Sequence, residues 1–481
     1  MAFIRKVKTA SGATAVQIAH KAGGKLTKLE HLGSAHDSKE LETLISLAKE
    51  RLRGNQMFLF PDHGNTLQIK LKQSYSHLLF QVLNSQYQKL GFSQLKDLDF
   101  AHLCIARIVE PTSKLDSLRV LVDLGVCGPS KTQLFRCLQR SIDQNYRKII
   151  SQLCFDHVSS QNLHLVLYDV TTLYFEVQEG DDYRKSGLSK ERRLEPQIVV
   201  GLLVDQSGFP LGLQSFEGNT AETKTILPVL EEFQRKHHLE KITVVADAAM
   251  LSRTNLEALV ASGYHFVVGS RMTKVPYDLA QFQKQGTLTD NQIIDTRKGT
   301  DRIIYQYREK RARLDIKNIE IQVAKATRMI NGTAPVKRSR FVSLTSEKKI
   351  LNQSLIDKAY TLAGIKGYVT NLNLPSQEII DAYRQLFAVE ASFRMAKSDL
   401  KARPIFHRKH DAIEAHLTIV FTSLAISRQM EKLTGLSTKR IIKILRPIRS
   451  GIIIINEEEY PAEPEIPKDI HRLLQKLESG H

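Results

Sequence analysis

The stretches LHLVLYDVTTLYFE (163–176) and ITVVAD (242–247) decide the fold. Each is an apolar run rich in β-branched residues, as buried strands are, and each contains or ends in an aspartate. Between them, QIVVGLLVD (197–205) and FPLGLQSF (209–216) predict two more strands, joined by the turn DQSG (205–208). Strands then alternate with helical patterns, so the chain is predicted to contain an α/β domain built on a three-stranded meander.

Hydrophobic periodicity predicts the remaining elements. Residues 1–35 suggest a small hairpin-like unit, and Ile452–Ile455 suggests a buried strand. We predict helices at 38–53, 223–237, 254–262, 376–402 and 413–433, further helices within 72–153, and a strand at 264–268. RIIYQY (302–307), IEIQVAKAT (319–327) and SRFVSLT (339–345) look strand-like and suggest an inserted β-rich unit. The tail after Glu457 is acidic and is predicted to be peripheral.

These changes of texture predict six segments. They are an N-terminal hairpin and helix (1–60), a helical region (61–158), the first part of an α/β domain (159–269), a β-rich insertion (270–370), the completion of the α/β domain (371–435), and a basic segment with an acidic tail (436–481). The short basic helices of 61–158 suit DNA binding, and a helical packing domain with a solvated basic face is the alternative.

Composition narrows the class of partner. The chain has 481 residues, and its 69 basic residues exceed its 51 acidic ones, which gives a formal net charge of +18. Such an excess favours a polyanion, nucleic acid first, although ribosomal RNA and membrane surfaces also attract it. The 4 cysteines form no CxxC pair, which favours a reducing cytoplasm. No apolar run has the length of a membrane-spanning helix, so no membrane partner is expected.

Two aspartates stand where a ligand site is expected. Asp169 interrupts an apolar strand, and Asp247 ends another. If these strands are neighbours, both carboxylates reach one sheet edge, and a divalent cation would relieve their repulsion. Taken singly, either aspartate is more often a helix cap or turn former.

A third carboxylate, Glu390, lies in the helical stretch AYRQLFAVEASFRMAKSDL (382–400). Spacings of seven place Tyr383, Glu390 and Lys397 on one stripe of a helix, and Arg394 shares that face. Such a stripe suits a site for metal and phosphate. The simpler interpretation is a charged face with a Glu390–Arg394 ion pair.

Taken in order, these segments resemble the DDE transposases of bacterial insertion sequences, those whose third motif is Tyr, Arg, Glu, Lys. The resemblance covers about residues 160–425, including YDVTTLYFE (168–176), FEGNTAETKTILP (216–228), VVADAAMLS (244–252) and the Glu390 helix with RPIFH. The opening FIRKVKTASGATAVQI (3–18) is similar to a subgroup. The position of the motif's arginine is occupied by Leu386, and Arg384 or Arg394 are candidates to replace it.

The resemblance implies a ribonuclease H-like mixed sheet flanked by helices, with an inserted subdomain. It implies that Asp169, Asp247 and Glu390 bind two Mg²⁺ ions, for which Mn²⁺ can substitute, and that the enzyme cleaves and joins DNA. Lys397 and Arg394 would hold phosphates, and Tyr383 would contact the cut strand. Its partners would be the element's terminal inverted repeats and target DNA, bound by a homodimer in the bacterial cytoplasm at the nucleoid.

A basic loop follows the first aspartate. Its cations are candidate clamps on the DNA backbone, although an exposed charge run is usually only a solvated face: Arg184, Lys185, Lys190, Arg192 and Arg193. His407, His410 and His416 lack the cysteine or carboxylate partners of a zinc site and are interpreted as ordinary histidines.

Other functions remain open from the sequence. An aspartyl phosphatase would need a second aspartate at the position of Thr171. A nucleotide-binding enzyme would need a glycine-rich phosphate loop after a strand, and none is present. A non-catalytic DNA-binding protein, an inactive transposase acting as a repressor, and another ribonuclease H-like nuclease are the further alternatives.

Overall fold

We describe the chain from a computed structural model. It describes residues 2–9, 12–53, 69–159, 163–177, 179–187, 195–237, 242–248, 252–270, 272, 275–298, 301–333, 340–344 and 349–478. The chain divides into two compact units, 1–68 and 69–481. Among the residues described, no helix is both long and apolar enough to cross a membrane.

The N-terminal unit is an antiparallel sheet covered by one helix. Its strands are β1 (Ala2–Lys8), β2 (Thr14–Ala22) and β3 (Lys25–Ala35), and its helix is α1 (Ser38–Arg53). Gly23 and Gly24 both have positive φ, as a two-residue hairpin turn between right-twisted strands requires. Ala48 of α1 packs on Val16 and Ile18 of β2. The hairpin and the helix at 38–53 are confirmed.

The second unit begins with one strand and a group of helices. They are β4 (Ile69–Tyr75), α2 (His77–Lys89), α3 (Leu98–Val109), α4 (Ser117–Asp123), α5 (Lys131–Asp143) and α6 (Tyr146–Ser159). Local capping explains some of the boundaries. Ser130 and Gln133 form a capping box at the start of α5, and the Asp97 carboxylate accepts from the backbone of Phe100 at the start of α3. The helical pattern predicted within 72–153 is confirmed.

The middle of the chain builds the central sheet and its helices. The elements in order are β5 (Leu165–Tyr174), β6 (Gln197–Val204), β7 (Pro210–Glu217), α7 (Ile226–His237), β8 (Thr243–Ala246), α8 (Arg253–Ala261), β9 (His265–Gly269), α9 (Tyr277–Gln285), β10 (Ile293–Lys298), β11 (Asp301–Tyr307), α10 (Glu309–Ile330), β12 (Val342–Leu344), β13 (Lys349–Leu351), α11 (Gln353–Thr361) and β14 (Ile365–Thr370).

The central sheet has the order β10-β11-β14-β9-β8-β5-β6-β7. The pairs β5–β8 and β8–β9 are parallel, and the other neighbours are antiparallel. Strand β6 is buried along its whole length, since both faces of the sheet are covered there. The predicted meander of β5, β6 and β7, and the mixed α/β fold with flanking helices, are confirmed.

The segment 270–370 differs from its prediction in one element. IEIQVAKAT (319–327), which looks strand-like, lies inside the helix α10. Its β-branched residues alternate with polar ones over a short run, but the buried positions Ala312, Ile319 and Ala326 follow the helical period instead. The strands β10, β11 and β14 of this segment extend the central sheet itself.

The C-terminal part completes the second unit. Its elements are α12 (Ser376–Arg384), α13 (Phe387–Arg394), α14 (His410–Thr434), α15 (Thr438–Leu445), β15 (Ser450–Ile455), β16 (Glu458–Ala462) and α16 (Lys468–Glu478). Helix α14 is buried along most of its length and packs against α3, α5 and α16. The strands β16, β15 and β4 form a small separate sheet.

Three predictions for this part are wrong. The single helix 376–402 is divided, because the Leu386 amide bonds to the Tyr383 carbonyl (3.1 Å) and the Ala388 amide to the Gln385 carbonyl (2.7 Å), the tighter pattern of a 3₁₀ turn. Ile452–Ile455 is only half-buried. The tail is not peripheral, because α16 buries its apolar stripe of Ile470, Leu473 and Leu477 in the core.

Candidate active site

Asp169 and Asp247 lie at the same edge of the central sheet. The last paired residues of the parallel strands β5 and β8 are Leu167 and Val245, and each aspartate follows two residues later. Asp169 is half-buried and Asp247 is exposed. The two strands are therefore neighbours in the sheet, which was the condition for the predicted approach of the two carboxylates.

Glu390 lies on α13, which packs against β5 and β6. The turn between β6 and β7 holds this helix, because Ser392 Oγ donates to the Gly208 carbonyl over 2.6 Å. The turn itself is fixed by Asp205, whose carboxylate accepts from the amides of Ser207 (2.9 Å) and Phe209 (2.7 Å). Glu390 thus projects, exposed, from a helix anchored on the strand that carries Asp169.

Tyr383, at the end of α12, connects this helical region to Asp247. Its ring is buried, and its hydroxyl donates to Asp247 Oδ1 over 3.3 Å. Burial, the charge of Asp247 and that hydrogen bond raise the pKa of Tyr383, so the phenol stays protonated and acts as a donor. The Tyr368 ring packs edge-on against it, with 5.1 Å between the centroids.

Lys366, on β14, is a site residue that sequence reasoning missed. Its Nζ lies 4.3 Å from the centroid of the Tyr383 ring. Burial lowers the pKa of Lys366, as does the charge of Arg311, while the charges of Asp247 and Glu390 oppose that shift. One lysine is therefore close enough to two of the three predicted acidic residues for their charges to affect its pKa, without an ion pair to either. Its sequence context, IKGYVT (365–370), carries no signal of this placement.

The comparison with family models decides the family. Residues 164–426, more than half of the chain, match the model described as the transposase DDE domain. The chain belongs to the transposase DDE domain family. The resemblance to DDE transposases is thus confirmed, and with it a metal-dependent enzyme that cleaves DNA and transfers strands. The match decides against the phosphatase and nucleotide-binding alternatives.

Solved structures similar to this transposase include the piggyBac transposase synaptic complex with hairpin DNA, at 10% sequence identity and a TM-score of 0.43, over 77% of this chain and 79% of that chain. The comparison with curated proteins gave no match.

The third motif of the transposase is only partly arranged as the spacing suggests. Tyr383 lies on α12, Glu390 on α13 beyond the 3₁₀ turn, and Lys397 in a π-helical turn, Met395–Asp399, so the three do not share one continuous α-helical stripe. Arg394 is exposed and lies over the Phe387 ring at 5.6 Å. Leu386, at the position of the motif's arginine, is buried and contributes to the core.

In the loop after β5, Arg184 does not have the free position expected of a cation that binds the DNA backbone. Arg184 is only 8% exposed, donates to the Asp181 carboxylate over 2.8 Å and lies over the Phe175 ring. A buried and paired guanidinium fixes the loop, so Arg184 is not a free DNA clamp. Lys185 is partly exposed and pairs with Glu217 over 2.6 Å. The predicted clamps Lys190, Arg192 and Arg193 lie outside the described residues.

His416 and His407 lie in fully and partly buried surroundings, respectively. His416 is buried, with Nδ1 2.9 Å from Lys114 Nζ and Nε2 3.1 Å from the Ala402 carbonyl oxygen. Burial lowers the pKa of His407 to about 4. These contacts agree with the interpretation of these two as ordinary histidines.

The donor chemistry of the acidic residues suits a hard divalent cation, because all three offer carboxylate oxygens. Across the described ranges, no group of three histidine, cysteine, aspartate or glutamate side chains is close enough to hold a metal. The shared sheet edge of Asp169 and Asp247 is the feature that fits an ion. The assignment of Glu390 as a third ligand stays a prediction.

Proposed function

We propose that this transposase binds the ends of an insertion sequence and carries out cut-and-paste transposition, using Asp169, Asp247 and Glu390. The observation that supports it most is that Asp169 on β5 and Asp247 after β8 both lie two residues beyond the last parallel pair of these neighbouring strands, while the helix of Glu390 packs on β5. Ligands bind at such carboxyl edges in α/β sheets. The family match supplies the chemistry of DNA cleavage and joining.

The three carboxylates would hold Mg²⁺, two ions in the proposed site, with Mn²⁺ able to substitute. When bound, the ions supply the Lewis acidity that activates first water and then a 3′ hydroxyl for in-line attack on a phosphodiester. The protein's own part is orientation. The Tyr383 hydroxyl holds Asp247, the β6–β7 turn holds the helix of Glu390, and Arg394 and Lys397 lie beyond Glu390 to bind phosphates.

DNA is the partner of a DDE transposase, and the net charge of +18 favours it further. We propose terminal inverted repeats and target DNA as the sequences bound, with the helices α2–α6 contributing to binding. Two ends must be cut in one event, so a homodimer in the DNA complex provides two active sites. A bacterial, nucleoid-associated location follows from the same proposal.

Cleavage of DNA carrying the inverted repeats that flank the coding sequence tests this function. Asp169→Ala and Glu390→Gln should bind the ends as wild type does and lose metal-dependent cleavage by at least about 10²-fold. Glu257→Gln, an exposed position on α8, is the matched control and should cleave normally. Equal cleavage by Asp169→Ala would refute the assignment. End binding without cleavage by the wild-type protein would favour the repressor alternative.

A further inference from the structure

We propose that Lys366 binds a phosphate of the DNA strand at the site of cleavage. The inference rests on the proposed function of Asp169, Asp247 and Glu390. It assigns a role in the reaction to a residue of the 270–370 segment, which lies far from the three acidic residues in the sequence. Its basis is the position of Lys366, the absence of an ion pair to it in the described part of the chain, and the charge around it.

The sheet topology brings Lys366 to the acidic residues. Strand β14 pairs with β9, where Tyr368 lies opposite Gly269, and β9 pairs with β8, which is followed by Asp247. Side chains two residues apart share a face of a strand, so Lys366 and Tyr368 project to the same side. Both contact the Tyr383 ring, whose hydroxyl donates to Asp247.

Among the residues that the structure describes, the ammonium group of Lys366 has no anionic hydrogen-bond or ion-pair partner. It is half-buried and makes no hydrogen bond or ion pair with another described residue, and its contacts are the faces of Tyr383 and Tyr368. Two neighbouring arginines, in contrast, have acidic partners. Arg311 pairs with Asp315 over 3.4 Å, and Arg384 pairs with Asp381 over 2.7 Å. A cation withdrawn from water without an anion is costly, so this position favours an incoming anion.

The charge balance identifies that anion. While the acidic site is empty, Asp247 and Glu390 stabilise the charged form of Lys366. Divalent cations bound to those carboxylates would cancel that stabilisation and repel the ammonium. A phosphodiester beside the metals restores an opposite charge at short range, as charge-assisted hydrogen bonds to phosphate do. Lys366 would therefore favour the joint binding of metal and DNA.

This position also accounts for a cation absent from the third motif. Leu386 is buried and cannot reach a phosphate, whereas Arg384 is held by Asp381. Lys366, on β14, contacts the ring of Tyr383, the tyrosine of that motif. The alternative is that Lys366 is only a counter-cation for the empty carboxylates, and the two roles predict opposite results.

Three variants separate these roles: Lys366→Met, Lys366→Arg and, as matched control, Lys476→Met on the exposed face of α16. Cleavage of DNA with the flanking inverted repeats is measured at saturating DNA and Mg²⁺. Lys366→Met should cleave about 10- to 100-fold more slowly, because one preorganised cation at the reacting phosphate is lost. Lys366→Arg should retain most of the rate, and Lys476→Met all of it.

Binding of the same DNA at increasing salt gives a second measurement that a structural role would not change. Loss of one phosphate contact should reduce the slope of log affinity against log salt by about 0.9 in Lys366→Met. Melting temperatures of the variants show whether each one is folded. If Lys366→Met is unfolded, the rate and salt dependence of Lys366→Arg are used to test the proposal.

The outcomes are distinct. A wild-type rate for Lys366→Met, together with tighter binding of Mn²⁺ in the absence of DNA, would show a counter-cation and overturn the proposal. An equal loss of cleavage in the arginine variant would also overturn it, since a guanidinium binds phosphate. If wild-type protein itself fails to cleave, the proposed function is at fault, whereas normal cleavage by Lys366→Met defeats this inference alone.

Discussion

The Tyr383 hydroxyl donates a hydrogen bond to Asp247 Oδ1 over 3.3 Å, and this contact ties the end of α12 to the end of β8. The same carboxylate oxygen accepts from the Ala248 amide over 2.7 Å. Asp247 is therefore oriented by both a neighbouring amide and a buried phenol. Because Tyr383 lies shortly before the helix of Glu390, its position also couples the two parts of the candidate site.

Gly269→Ala should disturb this contact. An added Cβ would lie 2.8 Å from the Tyr383 hydroxyl oxygen and 3.2 Å from Ala248 Cβ, so the phenol must shift, and we expect its hydrogen bond to Asp247 to weaken. We expect cleavage to fall by about tenfold, the equivalent of one hydrogen bond to a charged group, with little loss of stability. Gly212→Ala on β7, where the nearest atom is 3.8 Å away, is the control and should cleave as wild type does. Equal rates for both would contradict the proposed orientation of Asp247.

Gly208→Ala should loosen the anchor of α13. Gly208 has a φ of +83°, and an added Cβ would lie 2.8 Å from the Ala388 carbonyl oxygen and contact the Arg428 guanidinium. The left-handed backbone costs about 1–2 kcal/mol, and the clash adds about 1–3 kcal/mol to the loss of unfolding free energy. Gly263→Ala has a φ of +79° but open space around its Cβ, so denaturant unfolding should show the backbone cost alone. A loss in Gly208→Ala no larger than in that control would show that the turn does not hold α13.

Leu473→Ala should destabilise the second unit by about 2–5 kcal/mol, because a buried leucine side chain leaves a cavity. Leu473 is 8% exposed and belongs to the face of α16 that packs into the core. Leu98→Ala removes the same atoms from a side chain that is 75% exposed and should cost much less. Denaturant unfolding measures both. Similar values for the two variants would indicate that α16 is detached in solution.

Glu414 should make stability depend on pH. Burial opposes its ionisation, but the charge of Arg147 and hydrogen bonds from Tyr183, Ser215 and Arg147 outweigh burial and lower the pKa of Glu414. A lowered folded pKa gives a stabilisation that is fully present above the unfolded value of about 4.3 and lost as pH falls through the folded value.

Glu414→Gln should therefore be less stable than wild type at neutral pH, and the difference should shrink as pH falls below about 4.3. Unfolding free energies measured across that range check this. Glu257→Gln, whose side chain is 67% exposed, should differ little from wild type throughout. A constant difference between wild type and Glu414→Gln would contradict the ionised network.

The sequence by itself determined the central α/β arrangement and the positions of Asp169 and Asp247 on it. The strands β5 to β9 and the helices between them follow from apolar runs and turn residues, which are local signals. Asp169 was recognisable because it interrupts an apolar strand, and Asp247 because it ends a strand predicted to lie beside the first. Glu390 followed from the spacing of polar residues in a helical stretch, and the family resemblance connected all three.

Only the tertiary structure decided which distant segments complete the site. No proline or glycine stands between Arg384 and Phe387 to signal the break before α13, where Leu386 is buried in the core. Arg184 has the sequence context of a surface cation and is nevertheless buried against Phe175. Lys366 reaches Tyr383 because β14 adds beside β9, and strand pairing between distant segments leaves no mark in the local sequence. Local periodicity therefore fixes the elements, whereas long-range packing selects the side chains that meet.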